Sequence, residues 1–281
     1  MDCTIRSMRS DEVEAAIGFA AREGWNPGLH DAACFHAADP GGFLLAEQGG
    51  QMLGCISAVS YGGSFGFIGL YIVAPAWRGQ GIGRCLWTAA MARLAGQVIG
   101  LDGVPAQQDN YRRSGFELAW RNARFAGLAR PATEPAATAL VPLGEVDFDS
   151  LCDSDRWVFP AARPAFLRRW IEMPDATGLA WCEHGHVAGW GVIRRCRDGH
   201  KIAPLVAERA QVADALYAAL CSAVPEGDTI YLDVPLPNAD ALALAADHDM
   251  RIVFETARMY VGPAPACDLQ QVYGITSFEL G

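Results

Sequence analysis

The residues with the plainest chemistry are Arg78-Gly79-Gln80-Gly81-Ile82-Gly83-Arg84. They follow an apolar, β-branched run, Ile68-Gly69-Leu70-Tyr71-Ile72-Val73, that ends at Pro75. After them Leu86, Trp87, Ala90, Met91 and Leu94 fall on one face of a helix. A strand feeding a glycine turn that opens a helix is a cradle for phosphate. Glycines let the backbone approach an anion closely, and the free N–H groups at the helix start point at it, with the helix dipole favouring its charge. Arg78 and Arg84 add charge-assisted hydrogen bonds.

The glycines run Gly-x-Gly-x-Gly, not the Gly-x-Gly-x-x-Gly of a dinucleotide fold, and no Gly-Lys-Ser/Thr follows. Arg-Gly-Gln-Gly-Ile-Gly after a strand ending in Val-x-Pro instead resembles the pyrophosphate loop of GNAT-type acyl-CoA N-acyltransferases. Glu23-Gly24-Trp25-Asn26-Pro27-Gly28, Leu101-Asp102-Gly103 and the tail from Val272 to Gly281 extend the resemblance to a bacterial two-domain subfamily. In that subfamily a GNAT domain precedes a smaller GNAT-like one. The resemblance implies acetyl-CoA as acyl donor and leaves the acceptor open.

Acyl transfer from a thioester to an amine needs a proton acceptor for the amine, polarisation of the carbonyl, a proton for the leaving thiolate, and alignment of the reactants. By resemblance, Tyr71, Ile72 and Val73 pair with the pantetheine arm as an added strand would, one N–H polarising the carbonyl. Residues Gly79, Gln80, Gly81, Ile82, Gly83 and Arg84, with Arg78, hold the pyrophosphate. Tyr111, in Asn110-Tyr111-Arg112-Arg113-Ser114-Gly115-Phe116, matches the segment where such enzymes often keep a tyrosine near the sulfur. The chain departs from a common pattern at Val104, where an asparagine often contacts the cofactor. Two carboxylates are candidates for the base: Asp102, which ends the fifth strand, and Glu23, in the loop that borders the acceptor site in this fold. The alternative for Asp102 is a turn or cap residue, and its counterpart Asp233 favours that reading.

The elements that must position these groups read as an α/β (α+β) chain. Residues 3–126 give a strand at 4–8, helices at 11–22 and 31–37, and strands at 42–47, 52–61 and 68–73. The loop and its helix, a strand at 97–101, a helix at 107–114 and a strand at 116–124 follow. Domains are expected at 1–127 and 139–281, each a mixed twisted sheet flanked by helices, joined by an Ala/Pro-rich linker at 128–138. The second half gives helices at 148–152 and 163–172, strands at 178–183 and 186–194, and a helix at 211–221. It also echoes the first. Leu101-Asp102-Gly103-Val104-Pro105 and a strand ending near Arg124-Phe125-Ala126-Gly127 match Leu232-Asp233-Val234-Pro235 and a strand ending near Arg258-Met259-Tyr260-Val261-Gly262. The phosphate loop has no such copy: Glu208-Arg209-Ala210 stands in its place, so one cofactor per chain is expected.

With 281 residues, about half of them apolar, a sizeable core forms without metals or staples. The nine cysteines make no Cys-x-x-Cys pair, which reads as reduced thiols. His184 and His186 flank a turn and lack a third ligand, so no metal is expected. No apolar run reaches membrane-span length, and the start lacks a signal-peptide core. A net charge of −10 without a basic block argues against nucleic acid and anionic membrane as partners. The expectation is a cytoplasmic N-acetyltransferase acting on a small-molecule amine, compatible with a homodimer. The alternatives are a non-catalytic acyl-CoA sensor or scaffold, or a protein lysine or N-terminal acetyltransferase.

Overall fold

A computed structural model describes residues 3–130 and 139–281. Most of the expected linker lies outside them, and Leu128 is the last residue of a strand. The first half runs β1 (Thr4–Ser7), α1 (Ser10–Arg22), α2 (Asp31–Ala38), β2 (Phe43–Gln48), β3 (Gln51–Tyr61), β4 (Phe65–Val73), α3 (Ile82–Arg93), β5 (Val98–Gly103), α4 (Gln108–Arg113) and β6 (Glu117–Leu128). The second runs β7 (Leu140–Pro142), α5 (Phe148–Val158), α6 (Pro164–Ile171), β8 (Ala176–Glu183), β9 (His186–Arg195), β10 (His200–Ala207), α7 (Ala210–Cys221), β11 (Thr229–Pro235), α8 (Ala239–Asp247), β12 (Arg251–Val261) and β13 (Val272–Gly274).

The periodicities explain most of these. Helix α1 buries Val13, Ala16, Ile17 and Ala20 on one stripe and carries Asp11 and Glu12 in its first turn, where the dipole favours them. Helix α8 is capped by the Asn238 side chain, which accepts from the Asp240 and Ala241 N–H groups. Helix α5 runs six residues past its expected end at 152. Its polar stretch looks like a break, yet Asp155 faces inward and forms a buried two-pronged pair with Arg163 at 2.8 and 2.9 Å.

The strands make one continuous sheet in the order β1-β2-β3-β4-β5-β12-β6-β11-β10-β9-β8-β7, with β13 beside β10. The halves exchange their last long strands. Strand β12 of the second half inserts between β5 and β6, and β6 of the first half pairs with β11. This exchange accounts for the internal echo. Asp102 on β5 stands opposite Arg258 on β12, and Asp233 on β11 stands opposite Arg124 on β6. Each pair is bidentate: 2.9 and 2.8 Å for Arg258 on Asp102, 2.6 and 2.8 Å for Arg124 on Asp233. Burial pushes the Asp102 carboxyl up, against the pull of Arg258. Burial acts the same way on Asp233, but Arg124 and Lys201 together hold it below the usual carboxylate range.

A fourth buried pair, Arg194 with Asp31, ties β9 to α2. Asp31 also accepts from the Gly28 N–H at 2.8 Å. A Cβ at Gly28 would sit 2.3 Å from the Asp31 carboxylate, so only glycine fits there. Asn26 hydrogen-bonds to and from the Asp198 backbone, and the Leu29 N–H donates to the Arg195 carbonyl. The Glu23–Gly28 loop is thus stitched onto the second half.

Candidate active site at the splay of two central strands

Strands β4 and β5 are parallel neighbours only from Phe65 with Val98 to Ile68 with Leu101. Beyond that they part. The cause is a bulge in β4: the register against β3 jumps from Ser57 with Gly69 to Cys55 with Ile72, and Leu70 takes a positive φ of 46°. From Gly69 to Val73 the edge of β4 that faced β5 is unpaired, and a cavity of about 480 Å³ opens there.

At the wide end stands the glycine loop. Gly79 and Gly81 have φ of 75° and 87°. A Cβ at either would meet nothing within 4 Å, so this backbone is open to a guest. Gly81 precedes α3, whose first turn has no side-chain cap and no acidic residue. Unclaimed N–H groups at an uncapped helix start, with exposed Arg84 beside them, form an anion site. Gly83 is needed for a different reason: a Cβ there would lie 2.8 Å from the Tyr71 hydroxyl. Arg78 donates to the Val73 carbonyl at 2.9 Å and pairs with Glu23, which closes the first loop over the cavity mouth. Gln80 is taken up by the Ala76 carbonyl at 3.1 Å.

Tyr71, Ile72 and Val73 line the cavity from β4, and Asp102, Val104, Gln107 and Tyr111 line it from the β5 side. Tyr111 belongs to an aromatic run: Tyr71 to Trp87 and Trp87 to Tyr111 are each 5.5 Å between ring centroids. Burial, with the Tyr71 phenol adding to it, pushes the Tyr111 hydroxyl up to about 12. The cavity therefore gathers all three proposed catalytic residues, but in different states. Glu23 is held by Arg78. Asp102 is engaged by Arg258 and also accepts from the Asn122 amide at 2.8 Å. Proton uptake by Asp102 would have to break the clamp between the halves.

Sequence reasoning did not find the far wall. It comes from Arg124 on β6, Phe254 and Thr256 on β12, and Phe278 and Glu279 in the tail. Arg124 organises it. Besides Asp233 it donates to the Trp25 carbonyl at 2.7 Å, and its guanidinium lies 5.1 and 5.8 Å from the rings of Phe278 and Phe254. The tail is anchored by the Tyr61 hydroxyl, which donates to the Leu280 carbonyl at 3.0 Å. Its backbone lies so close to β4 that a Cβ at Gly69 would come within 2.1 Å of the Glu279 carbonyl oxygen. The one signal in the sequence was a single acidic residue, Glu279, inside an otherwise neutral tail.

The second half has the same splay in a closed form. Strands β10 and β11 pair only as far as Ile202 with Leu232. Strand β13 then fills the gap, pairing with β10 through Leu205 with Gly274, while the Ile275 N–H donates to the Asp233 carbonyl at 2.9 Å. At the turn before α7, Glu208 pairs with His186 and Arg209 with Glu183, both at 2.5 Å, so carboxylates sit where a phosphate would approach.

Two family models match the chain. One, described as the acetyltransferase (GNAT) family, covers residues 7–116, and the other, an acetyltransferase (GNAT) domain, covers 151–274. The chain is a tandem GNAT acyltransferase. A holothin acyltransferase from Pseudoalteromonas sp. (strain SANK 73390) is 29% identical over 271 residues, covering 96% of this chain and 92% of that one. A putative acetyltransferase from Pyrococcus horikoshii shares the fold with a TM-score of 0.84 at 21% identity, over 99% of this chain and 96% of that one. A tandem GNAT protein from the clavulanic acid biosynthesis pathway has a TM-score of 0.66 at 15% identity, over 94% and 100% of the two chains. Among the described residues no group of three or more histidine, cysteine or acidic side chains is placed to hold a metal. None of the described helices is long and apolar enough to cross a membrane.

Proposed function

We propose that this tandem GNAT protein transfers an acetyl group from acetyl-CoA to a primary amine of a small molecule in the cytoplasm. The observation that carries the reading is the contrast between the two splays. The first is open and ends at an uncapped helix start with open glycines. The second is filled by β13. The donor fits the open one. Residues 79–84 would hold its diphosphate, and the unpaired β4 edge from Tyr71 to Val73 would accept the amides of its arm.

A small acceptor is favoured by the far wall. Phe254, Thr256, Phe278 and Glu279 come from the second half and line the cavity together with residues of the first, so the acceptor would sit between the two halves. A protein tail would need an open groove there. The name of the holothin acyltransferase also points to a defined acyl acceptor rather than to protein at large. Tyr111 would protonate the leaving thiolate. Its hydroxyl, pushed up to about 12, is a weaker acid than a free phenol. The burial that weakens it also destabilises a thiolate beside it, so the two proton affinities rise together.

The reading is tested by free-thiol release from acetyl-CoA with a panel of primary amines. Acceptor-dependent release is the expected result. Tight acetyl-CoA binding with no release for any amine would favour a sensor or scaffold instead.

A further inference from the structure

Three carboxylates line the cavity, and two of them are committed: Glu23 to Arg78 and Asp102 to Arg258. The third, Glu279, is 5% exposed, yet its carboxylate has no hydrogen bond and no ion pair among the described residues. Its backbone, in contrast, is tightly held. The Ser277 hydroxyl accepts from the Glu279 N–H at 3.0 Å, and the Glu279 carbonyl oxygen packs against Gly69, where β4 begins to part from β5. A nearly buried carboxylate that makes no hydrogen bond and belongs to a cavity lining is available to a guest there.

A second orphan lies in the same wall. The Thr256 hydroxyl is buried, belongs to a residue that lines the cavity and has no hydrogen-bond partner among the described residues. Arg124, in the same wall, donates to Asp233 and to the Trp25 carbonyl and makes no ion pair with Glu279 among the described residues. Trp25, Phe254 and Phe278 supply apolar ring surface around the two orphans. This end of the cavity therefore has an aromatic lining with one anionic and one hydroxyl group left over, which matches an amine on an apolar or aromatic body.

We infer that Glu279, in the tail of the second half, is the residue that takes the proton from the acceptor amine, and that the acceptor's body rests between Trp25, Phe254 and Phe278. The inference rests on the N-acetyltransferase reading above. As the amine nitrogen forms its bond to the acyl carbon, Glu279 receives the proton that nitrogen loses. The carbon–sulfur bond breaks, its electron pair leaves on sulfur, and Tyr111 supplies the proton that makes the free thiol. Glu279 gives its proton to solvent and Tyr111 regains one, so the enzyme returns to its starting state with amide and thiol formed.

The test uses the full-length chain and three probes: tryptamine, phenethylamine and hydroxylamine, with thiol release as readout. Glu279→Gln keeps the shape and removes the proton acceptor. Turnover with the amine that the wild type uses best is expected to fall ~10²-fold or more, with acetyl-CoA affinity within about twofold of wild type. Glu279→Asp, which keeps a carboxylate, should recover a large part of the turnover lost in Glu279→Gln. A Glu279→Gln protein with turnover within about threefold of wild type, or a Glu279→Asp protein no more active than Glu279→Gln, would overturn the inference and leave the acetyltransferase reading standing. A wild type that acetylates none of the three probes would overturn both.

Discussion

Tyr111→Phe is expected to lose ~10²–10⁴-fold in turnover, the usual contribution of a general acid, with little change in acetyl-CoA affinity or melting temperature. The substitution removes one hydroxyl and keeps the ring against Trp87 and Phe116. The three possible roles of this tyrosine separate cleanly. A packing residue would leave turnover near wild type. An acceptor contact would raise the acceptor KM and leave turnover alone. A proton donor would lower turnover, and the rate should then depend on pH in a defined way. An acid works only while protonated, and burial pushes this phenol up to about 12. The rate should therefore show no alkaline loss from Tyr111 across pH 8–10. Steady-state kinetics of the Phe variant across that range decide the matter. Retention of more than about a third of wild-type turnover would remove Tyr111 from the chemistry.

Arg258→Ala is expected to destabilise the whole chain rather than one domain. It would leave Asp102 buried with the Asn122 amide as its remaining side-chain partner. It would also remove the guanidinium that lies 4.9 Å from the Phe67 ring and 5.5 Å from Trp120. Breaking a buried pair on one side typically costs about 3–5 kcal/mol, which for a chain of this size corresponds to a melting temperature lower by roughly 10 °C. Because β12 sits between β5 and β6, both halves should melt together in the variant as in the wild type. Replacing both partners, Asp102→Leu with Arg258→Met, should recover most of the loss, since no unpaired charge remains. Thermal unfolding followed by circular dichroism reads both variants. An Arg258→Ala protein as stable as wild type would show that the pair does not clamp the halves.

Much of this architecture was legible in the sequence because it is written in local patterns. The strand–glycine–helix run at 68–94 has one backbone solution, and the structure places Gly79 and Gly81 at positive φ as such a loop requires. The turns at Gly49-Gly50 and Gly62-Gly63 set the β2–β3–β4 meander in the same way. Partner choice is a different kind of information. Periodicity marks 117–128 and 251–261 as strands, but nothing local says that they cross into each other's half. The repeated Asp and Arg carried that message, and only the register of β5 with β12 and of β11 with β6 makes it readable.

The site shows the same division. Residues 71–73, 78–84 and Tyr111 follow from a motif, and of these Tyr71, Ile72, Val73, Arg78, Gly79 and Tyr111 line one cavity. Which carboxylate is free does not follow from a motif. Glu23 and Asp102 look available until Arg78 and Arg258 arrive from distant positions in the chain. The tail hides its role for a simpler reason. Strand β13 is three residues long, too short for any periodicity, and what holds it is the splay it fills rather than its own sequence.

The central claim is that the open splay of the first half, with residues 79–84 at its mouth, is the one acyl-CoA site, and that the filled splay of the second half is none. Calorimetric titration of acetyl-CoA into the wild type, Gly81→Ala and Gly81→Asp tests it most directly. A Cβ at Gly81 meets nothing within 4 Å, but the φ of 87° strains any residue other than glycine, so Gly81→Ala, which carries the same backbone strain and no charge, is the reference for the carboxylate's effect. One site per chain is predicted for the wild type, with affinity in Gly81→Asp weaker than in Gly81→Ala by more than tenfold, beyond ~1.4 kcal/mol, at an unchanged circular dichroism spectrum. Two sites per chain, or equal affinity in Gly81→Asp and Gly81→Ala, would contradict it.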